Sequence, residues 1–318
     1  MLASLSPYPG EVLLGLFPDG AQVEVVTVPD PPAPEAVCEA VAEADLVLGD
    51  KRHKHKLDRA TLQAMRRCRL IQQPAVGYDV IDHRAAAELG VPVANAAGYN
   101  RDAVADWTVL AILNLLRQGA FGDRRMREGA WPYPELRGRE LGALTVGIVG
   151  LGNTGGAVAG RLRAFGSRLV FADIVPRSAA GATQLPLERL LEESDVVTVH
   201  VPLDHDTRGL IGEAAFRRMK PGAILVNASR GPVVDETALI AALDAGRLGG
   251  AGLDVFEVEP LAEDSPLRSF ENVFLSPHVA GATEEAEARL LETCGANLRR
   301  VLEGLEPFNI VNGVTRRR

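Results

Sequence analysis

Thr145-Val146-Gly147-Ile148-Val149-Gly150-Leu151-Gly152-Asn153-Thr154-Gly155 is the stretch from which the fold can be read. An apolar, β-prone run enters three glycines spaced Gly-x-Gly-x-x-Gly, and residues 157–165 continue with helical periodicity. Strand, glycine turn and helix in that order make a dinucleotide-binding βα unit. The first glycine permits the tight turn, the second lets a pyrophosphate approach the backbone, and the third lets helix and strand pack closely. The helix N-terminus adds free N–H groups and the positive end of its dipole.

Further along, Arg168-Leu169-Val170-Phe171-Ala172 ends at Asp173, 18 residues beyond Gly155. An acid at this point accepts the ribose hydroxyls of NAD and repels the 2′-phosphate of NADP. Arg177 lies close enough in sequence to soften that repulsion, so preference for NAD is expected rather than exclusion of NADP.

Short apolar runs recur on both sides of this unit, each followed by a helical pattern. They fall at residues 22–28, 45–48, 70–72 and 91–94, then 144–149, 169–172, 196–201, 223–226, 252–255 and 273–275. Strand–helix alternation at this spacing predicts α/β architecture with parallel sheets covered by helices on both faces. Residues 101–117 read as a long amphipathic helix. Residues 118–142, with Gly119, Gly122, Gly129, Pro132, Pro134 and Gly138, read as a long irregular insertion of the kind that usually carries a function. A last helix is expected near residues 284–302. The division that follows is a first domain of residues 1–97 completed by 286–318, and a second of residues 98–285.

A chain of 318 residues exceeds one ordinary core, which agrees with two domains. Its net charge of -8 argues against nucleic acid or acidic membrane as a partner. Cys38, Cys68 and Cys294 are odd in number and scattered, which points to a reducing compartment and to no metal site. No signal peptide is visible and no apolar run approaches the roughly 20 residues of a membrane span, so a cytoplasmic protein is expected.

Three later strands end in chemistry. Residues 223–227 run into Ala228-Ser229-Arg230-Gly231, residues 252–256 into Glu257-Val258-Glu259-Pro260, and residues 272–275 into Ser276-Pro277-His278-Val279-Ala280-Gly281. Ligands of open α/β sheets bind at this carboxyl edge. Arg230 offers a planar fork for a carboxylate. His278 can serve as general acid, or as base in reverse. Glu259 nearby would favour the imidazolium form. Each residue alone has an ordinary structural explanation; the three together at successive strand ends describe reduction of a 2-oxo acid.

These residues resemble the D-isomer-specific 2-hydroxyacid dehydrogenases over nearly the whole chain, most densely from Leu144 to Thr283. The glycine turn, His200-Val201-Pro202-Leu203 with Thr207, Met219-Lys220-Pro221-Gly222-Ala223 through Gly231, the Asp254–Pro260 segment and Ser276-Pro277-His278 carry the likeness. The resemblance implies a Rossmann-type, doubly wound, dinucleotide-binding domain and a smaller flavodoxin-like α/β substrate domain. It implies Arg230, Glu259 and His278 as the catalytic residues. It implies NAD contacts at Gly150, Gly152, Asn153, Thr154, Gly155, Asp173, Val201, Pro202, Thr207, Ala228, Ser229, Arg230, Asp254, His278 and Gly281, with Asp254 near the carboxamide. Val76 and Gly77 would hold the substrate carboxylate through their N–H groups, and Tyr99 would touch the substrate. A homodimer through the 118–142 insertion is the family's usual assembly. Formate-oxidising relatives carry Gln in place of Glu259, and phosphite-oxidising relatives carry Lys in place of Val76, so neither branch fits.

The competing role is an NAD-sensing co-repressor of the same fold, which keeps the triad; turnover of NADH by pure protein separates the two. One feature remains. Of four lysines, three lie in Lys51-Arg52-His53-Lys54-His55-Lys56, after an expected strand. This cluster, Arg52 above all, is expected to bind a second anionic group on the substrate.

Overall fold

The computed structural model describes residues 1–28, 34–133 and 135–316. Pro134 of the insertion and the last two residues lie outside them. The chain forms two compact units, Met1–Asn100 with Thr283–Arg318, and Arg101–Ala282. The boundaries expected at 97/98 and 285/286 each lie three residues from these.

In the first unit, β1 (Leu2–Ser4), β2 (Val25–Thr27), β3 (Leu46–Leu48), β4 (Leu70–Gln72) and β5 (Val93–Ala94) form a parallel sheet ordered β2-β1-β3-β4-β5. This is the flavodoxin-like strand order. β1 was not anticipated. Its Leu-Ala-Ser is too short and too weakly β-prone to stand out, although it lies between β2 and β3. The helix Glu284–Leu302 lays Leu290, Cys294, Leu298 and Val301 onto Leu2, Leu46, Leu48 and Leu70 of this sheet. Thr283 caps that helix, its hydroxyl accepting the N–H of Ala286 at 3.1 Å.

The second unit holds β6 (Thr145–Val149), β7 (Arg168–Ala172), β8 (Ala182–Gln184), β9 (Val196–Val199), β10 (Ala223–Asn227), β11 (Leu248–Leu253) and β12 (Val273–Leu275). Their order, β12-β11-β10-β9-β6-β7-β8, is that of a doubly wound Rossmann sheet extended by one strand. Alternate residues face opposite sides. Val146, Ile148, Leu169 and Phe171 pack beneath the helix Arg101–Arg117, while Val149, Val170, Val197 and Val199 join the core on the other face. The order of strand addition reverses between the parallel neighbours β6 and β9, and the carboxyl ends flanking that point carry Gly150 and His200.

Three expectations need correction. The 118–142 insertion contains the helix Gly119–Arg127, hidden by its two glycines and stabilised by an Arg127–Asp123 pair at 2.8 Å one turn apart. The edge strand β8 was missed because Ala-Thr-Gln has no apolar signal. The helix after the glycine turn spans Asn153–Arg163, so it starts inside the motif rather than at residue 157. No helix among the described residues is long and apolar enough to cross a membrane.

Candidate active site

The glycine turn is built by close approach. Gly150 has φ +89°, and a Cβ there would stand 2.8 Å from the carbonyl oxygen of His200. A Cβ on Gly155 would stand 2.0 Å from the Gly150 carbonyl oxygen, so any side chain would push helix from strand. Gly152 has no neighbour within 4 Å of its missing Cβ, and as N-cap it supplies no side-chain cap to the helix beginning at Asn153. An open backbone beside an uncapped helix N-terminus fits a pyrophosphate. Burial pushes the His200 imidazole down to about 4, which keeps it neutral beside this turn.

Asp173 follows β7, and its carboxylate is 9% exposed. Oδ2 accepts the Leu151 N–H at 2.9 Å and Arg177 Nε at 2.9 Å, and Oδ1 accepts the Val175 N–H at 3.1 Å. Burial alone would raise its pKa; the two N–H groups and Arg177 outweigh burial and hold it below the usual carboxylate range. Gln184 of β8 fixes this segment, donating to the carbonyls of Asp173 and Val175 and accepting the Arg177 N–H at 3.1 Å. In the loop after β9, Thr207 Oγ1 donates to the Pro202 carbonyl at 2.6 Å.

The chemistry-bearing side chains sit past β10, β11 and β12. Buried Asn227 shapes the first turn. Its Oδ1 accepts from the N–H and hydroxyl of Ser229 at 3.0 and 2.8 Å, and its Nδ2 donates to the Arg230 carbonyl at 3.0 Å. A Cβ on Gly231 would lie 1.8 Å from the Phe256 carbonyl oxygen, so only glycine lets the Arg230 turn press against the segment leading to Glu259. Glu259 Oε1 accepts the Phe256 N–H at 3.1 Å, and Oε2 lies 2.7 Å from His278 Nδ1. Burial pulls Glu259 upward, but the His278 hydrogen bond and charge, the Phe256 N–H and the Arg230 charge together hold it below its ordinary range. An ionised Glu259 on Nδ1 leaves Nε2 of His278 to exchange a proton with a ligand.

His278 itself has φ +55°, in the left-handed region that few non-glycine residues occupy. Asp254 at the end of β11 holds it there. The Asp254 carbonyl accepts the His278 N–H at 2.8 Å, and its carboxylate accepts the Ser276 hydroxyl at 2.5 Å and the N–H groups of Val279 and Ala280 at 2.8 Å each. Burial raises its pKa despite these donors. The partners found for Asp254 are thus the loop that carries His278. Asn227, Ser276, Gln184 and this loop-holding role of Asp254 were not anticipated; a polar residue closing an apolar strand was the available signal.

In the first unit, Val76 and Gly77 lie in the loop after β4. Among the described residues their N–H groups meet no acceptor, while the Val76 carbonyl accepts Asn95 Nδ2 at 2.7 Å. Tyr99 is half-buried against the core beneath the C-terminal helix, and its carbonyl accepts Arg289 Nε at 2.8 Å. Within residues 51–56, Lys51 pairs with Glu287, His53 lies 3.5 Å from Asp79, and buried His55 lies 2.6 Å from Asp50. Arg52, Lys54 and Lys56 are exposed.

A model of the D-isomer specific 2-hydroxyacid dehydrogenase NAD binding domain matches residues 109–280. A glyoxylate reductase of Korarchaeum cryptofilum is 41% identical over 89% of this chain and 87% of its own. A D-3-phosphoglycerate dehydrogenase of Archaeoglobus fulgidus is 38% identical over 82% of this chain and 50% of its own. The structure of D-lactate dehydrogenase from Aquifex aeolicus, complexed with NAD and lactic acid, superposes with a TM-score of 0.85 at 28% identity, covering 98% of this chain and 99% of that one. The chain therefore belongs to the D-isomer specific 2-hydroxyacid dehydrogenase family, NAD-linked enzymes that transfer a hydride between the cofactor and C2 of a 2-oxo or 2-hydroxy acid.

Proposed function

We propose that this enzyme reduces a small 2-oxo acid bearing a second anionic group to its D-2-hydroxy acid. Bound NADH supplies the hydride. Gly150, Gly152, Asn153, Thr154 and Gly155 hold its pyrophosphate, and Asp173 holds its ribose. The 201–207 loop, the 228–230 turn and Gly281 line the rest. Arg230 takes the substrate carboxylate, with the N–H groups of Val76 and Gly77 as further donors. His278 delivers a proton from Nε2 to the ketone oxygen, while Glu259 on Nδ1 orients the ring and stabilises its charged form.

The observation that supports the anionic tail is the run of Lys, Arg and His at residues 51–56, of which Arg52, Lys54 and Lys56 are exposed. Arg52 is assigned the tail because a guanidinium matches phosphate and carboxylate geometry. One charge-assisted contact contributes about 1.5–3 kcal/mol, or about 10- to 150-fold in kcat/KM. The test is an NADH-oxidation panel with phosphonopyruvate, phosphohydroxypyruvate, hydroxypyruvate, glyoxylate and aromatic 2-oxo acids. The dianions should lead, and Arg52→Ala should remove most of their advantage. A lead for aromatic acids, or an advantage that survives Arg52→Ala, refutes the assignment.

The glyoxylate reductases among the relatives favour a second reading, in which glyoxylate itself is the substrate and leads the same panel. For assembly, we propose a homodimer through the 118–142 insertion. Trp131 and Tyr133 support it, being 76% and 80% exposed there. Sedimentation should give a dimer, and Trp131→Arg a larger monomer fraction. Three free cysteines support a reducing, cytoplasmic setting.

A further inference from the structure

We propose that Asn95 is a positioning residue for the substrate carboxylate: with Ala96 it grips two successive carbonyls of the 75–77 loop, and so presents the Val76 and Gly77 N–H groups as a preformed pair of donors. The inference rests on the assignment of those two N–H groups to the substrate carboxylate and is independent of the anionic tail.

The grip acts on two adjacent peptide planes. The Ala75 carbonyl accepts the Ala96 N–H at 3.0 Å, and the Val76 carbonyl accepts Asn95 Nδ2 at 2.7 Å. The peptide that carries the Ala75 carbonyl also carries the Val76 N–H, and the peptide that carries the Val76 carbonyl also carries the Gly77 N–H. Both are trans, so each N–H points away from its own carbonyl. Holding the two carbonyls against residues 95 and 96 therefore turns both N–H groups away from them. Asn95 is only 7% exposed, and an amide buried that far stays where its hydrogen bonds are made.

Asn95 is itself seated by the C-terminal tail. β5 is an edge strand, and Ile310 bridges Ala94 in antiparallel fashion on its open side. Asn95 donates its N–H to the Asn309 carbonyl at 3.1 Å, and the Val311 N–H reaches the Val93 carbonyl at 2.9 Å. Asn312 extends this pairing: its Oδ1 accepts the Val93 N–H at 3.1 Å and its Nδ2 donates to the Val91 carbonyl at 2.8 Å. Buried Asn297, on the helix Glu284–Leu302, ties the tail back to the sheet. Its Oδ1 accepts the Phe308 N–H at 2.7 Å, and its Nδ2 donates to the Phe308 carbonyl at 3.0 Å and to Gln72 Oε1 at 2.8 Å.

The benefit is preorganisation. A loop whose two donors are aimed before the substrate arrives spares binding the cost of ordering them. The tail fixes the end of β5, the end of β5 fixes the Asn95 amide, and the amide fixes the peptide plane that carries a donor.

The experiment compares Asn95→Ala, Asn312→Ala and the unaltered enzyme, each saturated with NADH. The probe is oxamate, an analogue that keeps the carboxylate of a 2-oxo acid. Its inhibition constant against glyoxylate is measured, with KM and kcat for glyoxylate and deuterium uptake at the amides of residues 76 and 77. In Asn95→Ala the inhibition constant and KM should both rise about 10-fold, with kcat held within about 3-fold and the NADH dissociation constant within about 2-fold, because a carboxylate grip acts alike on bound substrate and transition state. Oxamate should slow deuterium uptake at both amides in the unaltered enzyme, and much less in Asn95→Ala. Asn312→Ala loosens β5 from behind and should raise the inhibition constant about 3-fold; it carries the test if Asn95→Ala does not fold. A lower Tm with an unmoved inhibition constant, or a loss confined to kcat, makes these residues merely structural and overturns the positioning role. Unchanged uptake at residues 76 and 77 when oxamate binds the unaltered enzyme removes the carboxylate reading itself, and the role of Asn95 with it.

Discussion

Replacing Arg177 tests how the second unit chooses between NADH and NADPH. The Asp173 carboxylate is nearly buried and is met by Arg177 Nε at 2.9 Å. A 2′-phosphate reaching the ribose position would approach that carboxylate to about 4 Å, where each pair of like unit charges costs about 1 kcal/mol in bulk water and about 4 kcal/mol at an effective dielectric of 20. Arg177 offsets part of this, and a net penalty of roughly 1.4–2.8 kcal/mol corresponds to a preference for NADH of about 10- to 100-fold. Arg177 is 44% exposed, so its own attraction for the phosphate is screened and amounts to about 1 kcal/mol. Arg177→Ala should therefore deepen the preference by about 5-fold, almost wholly through poorer kcat/KM with NADPH.

The assay is the initial rate of cofactor oxidation at saturating 2-oxo acid and constant ionic strength, with each cofactor varied in turn. Because the N–H groups of Leu151 and Val175 and the Arg177 guanidinium hold Asp173 below its ordinary range, it stays ionised throughout. The preference should be level from about pH 8 to about pH 5, and fade only below the ordinary carboxylate range of about 4. Improved use of NADPH in Arg177→Ala, or an unchanged ratio, refutes the claim that Asp173 faces the ribose with Arg177 as its counter-charge.

Other outcomes follow from the same geometry. His278→Ala should lower kcat about 10²- to 10⁴-fold while the NADH dissociation constant moves less than about 3-fold in a fluorescence titration. Glu259→Gln removes the carboxylate that meets His278 Nδ1 at 2.7 Å, so kcat should drop about 10-fold with NADH binding retained; an unchanged kcat counts against the pair. In Gly155→Ala the new methyl meets the Gly150 carbonyl at 2.0 Å, and about 1–3 kcal/mol of stability should be lost together with NADH affinity, seen as a lower Tm and a weaker titration. Asp254→Asn places an amide where the N–H groups of Val279 and Ala280 donate; kcat should drop about 10-fold with NADH binding retained, and the reverse pattern would assign Asp254 to the cofactor.

Much of the fold was legible because parallel strands buried on both faces are written as apolar runs. All ten such runs became strands, with ends shifted by a few residues. What escaped was short or glycine-rich. β1 and β8 have three residues each, and the first half of β11, which begins at Leu248, is masked by Gly249 and Gly250. The helix Gly119–Arg127 takes its order from ion pairs and from Asn114, whose side chain accepts the Ala120 N–H at 2.7 Å, and neither leaves a hydrophobic period. In the site, the residue types suited to chemistry stood out at strand ends. The residues that aim them did not, because Asn227, Ser276 and Gln184 act through local side-chain hydrogen bonds that have no spacing rule.

One device recurs behind these holders. Asp50, Asp173 and Asp254 each stand within two residues of the carboxyl end of a parallel strand, and each turns its carboxylate toward backbone N–H groups. A parallel ladder stops abruptly there, so the chain leaves the sheet with donors that have lost their strand partners. A carboxylate meets several of them at once, and a charge-assisted hydrogen bond is roughly twice as strong as a neutral one. What differs is depth. Asp173 sits at the rim beside a guanidinium, and its pKa is lowered; Asp254 lies deeper, and burial raises it in spite of its donors. The rim acid stays charged and available to a ligand's hydroxyls. The deep acid is committed to the protein, and its four partners hold His278 in a backbone conformation it would not otherwise keep. Burial thus separates two strand-end aspartates: Asp173 keeps a lowered pKa beside Arg177, and Asp254, its pKa raised, holds the loop that carries His278.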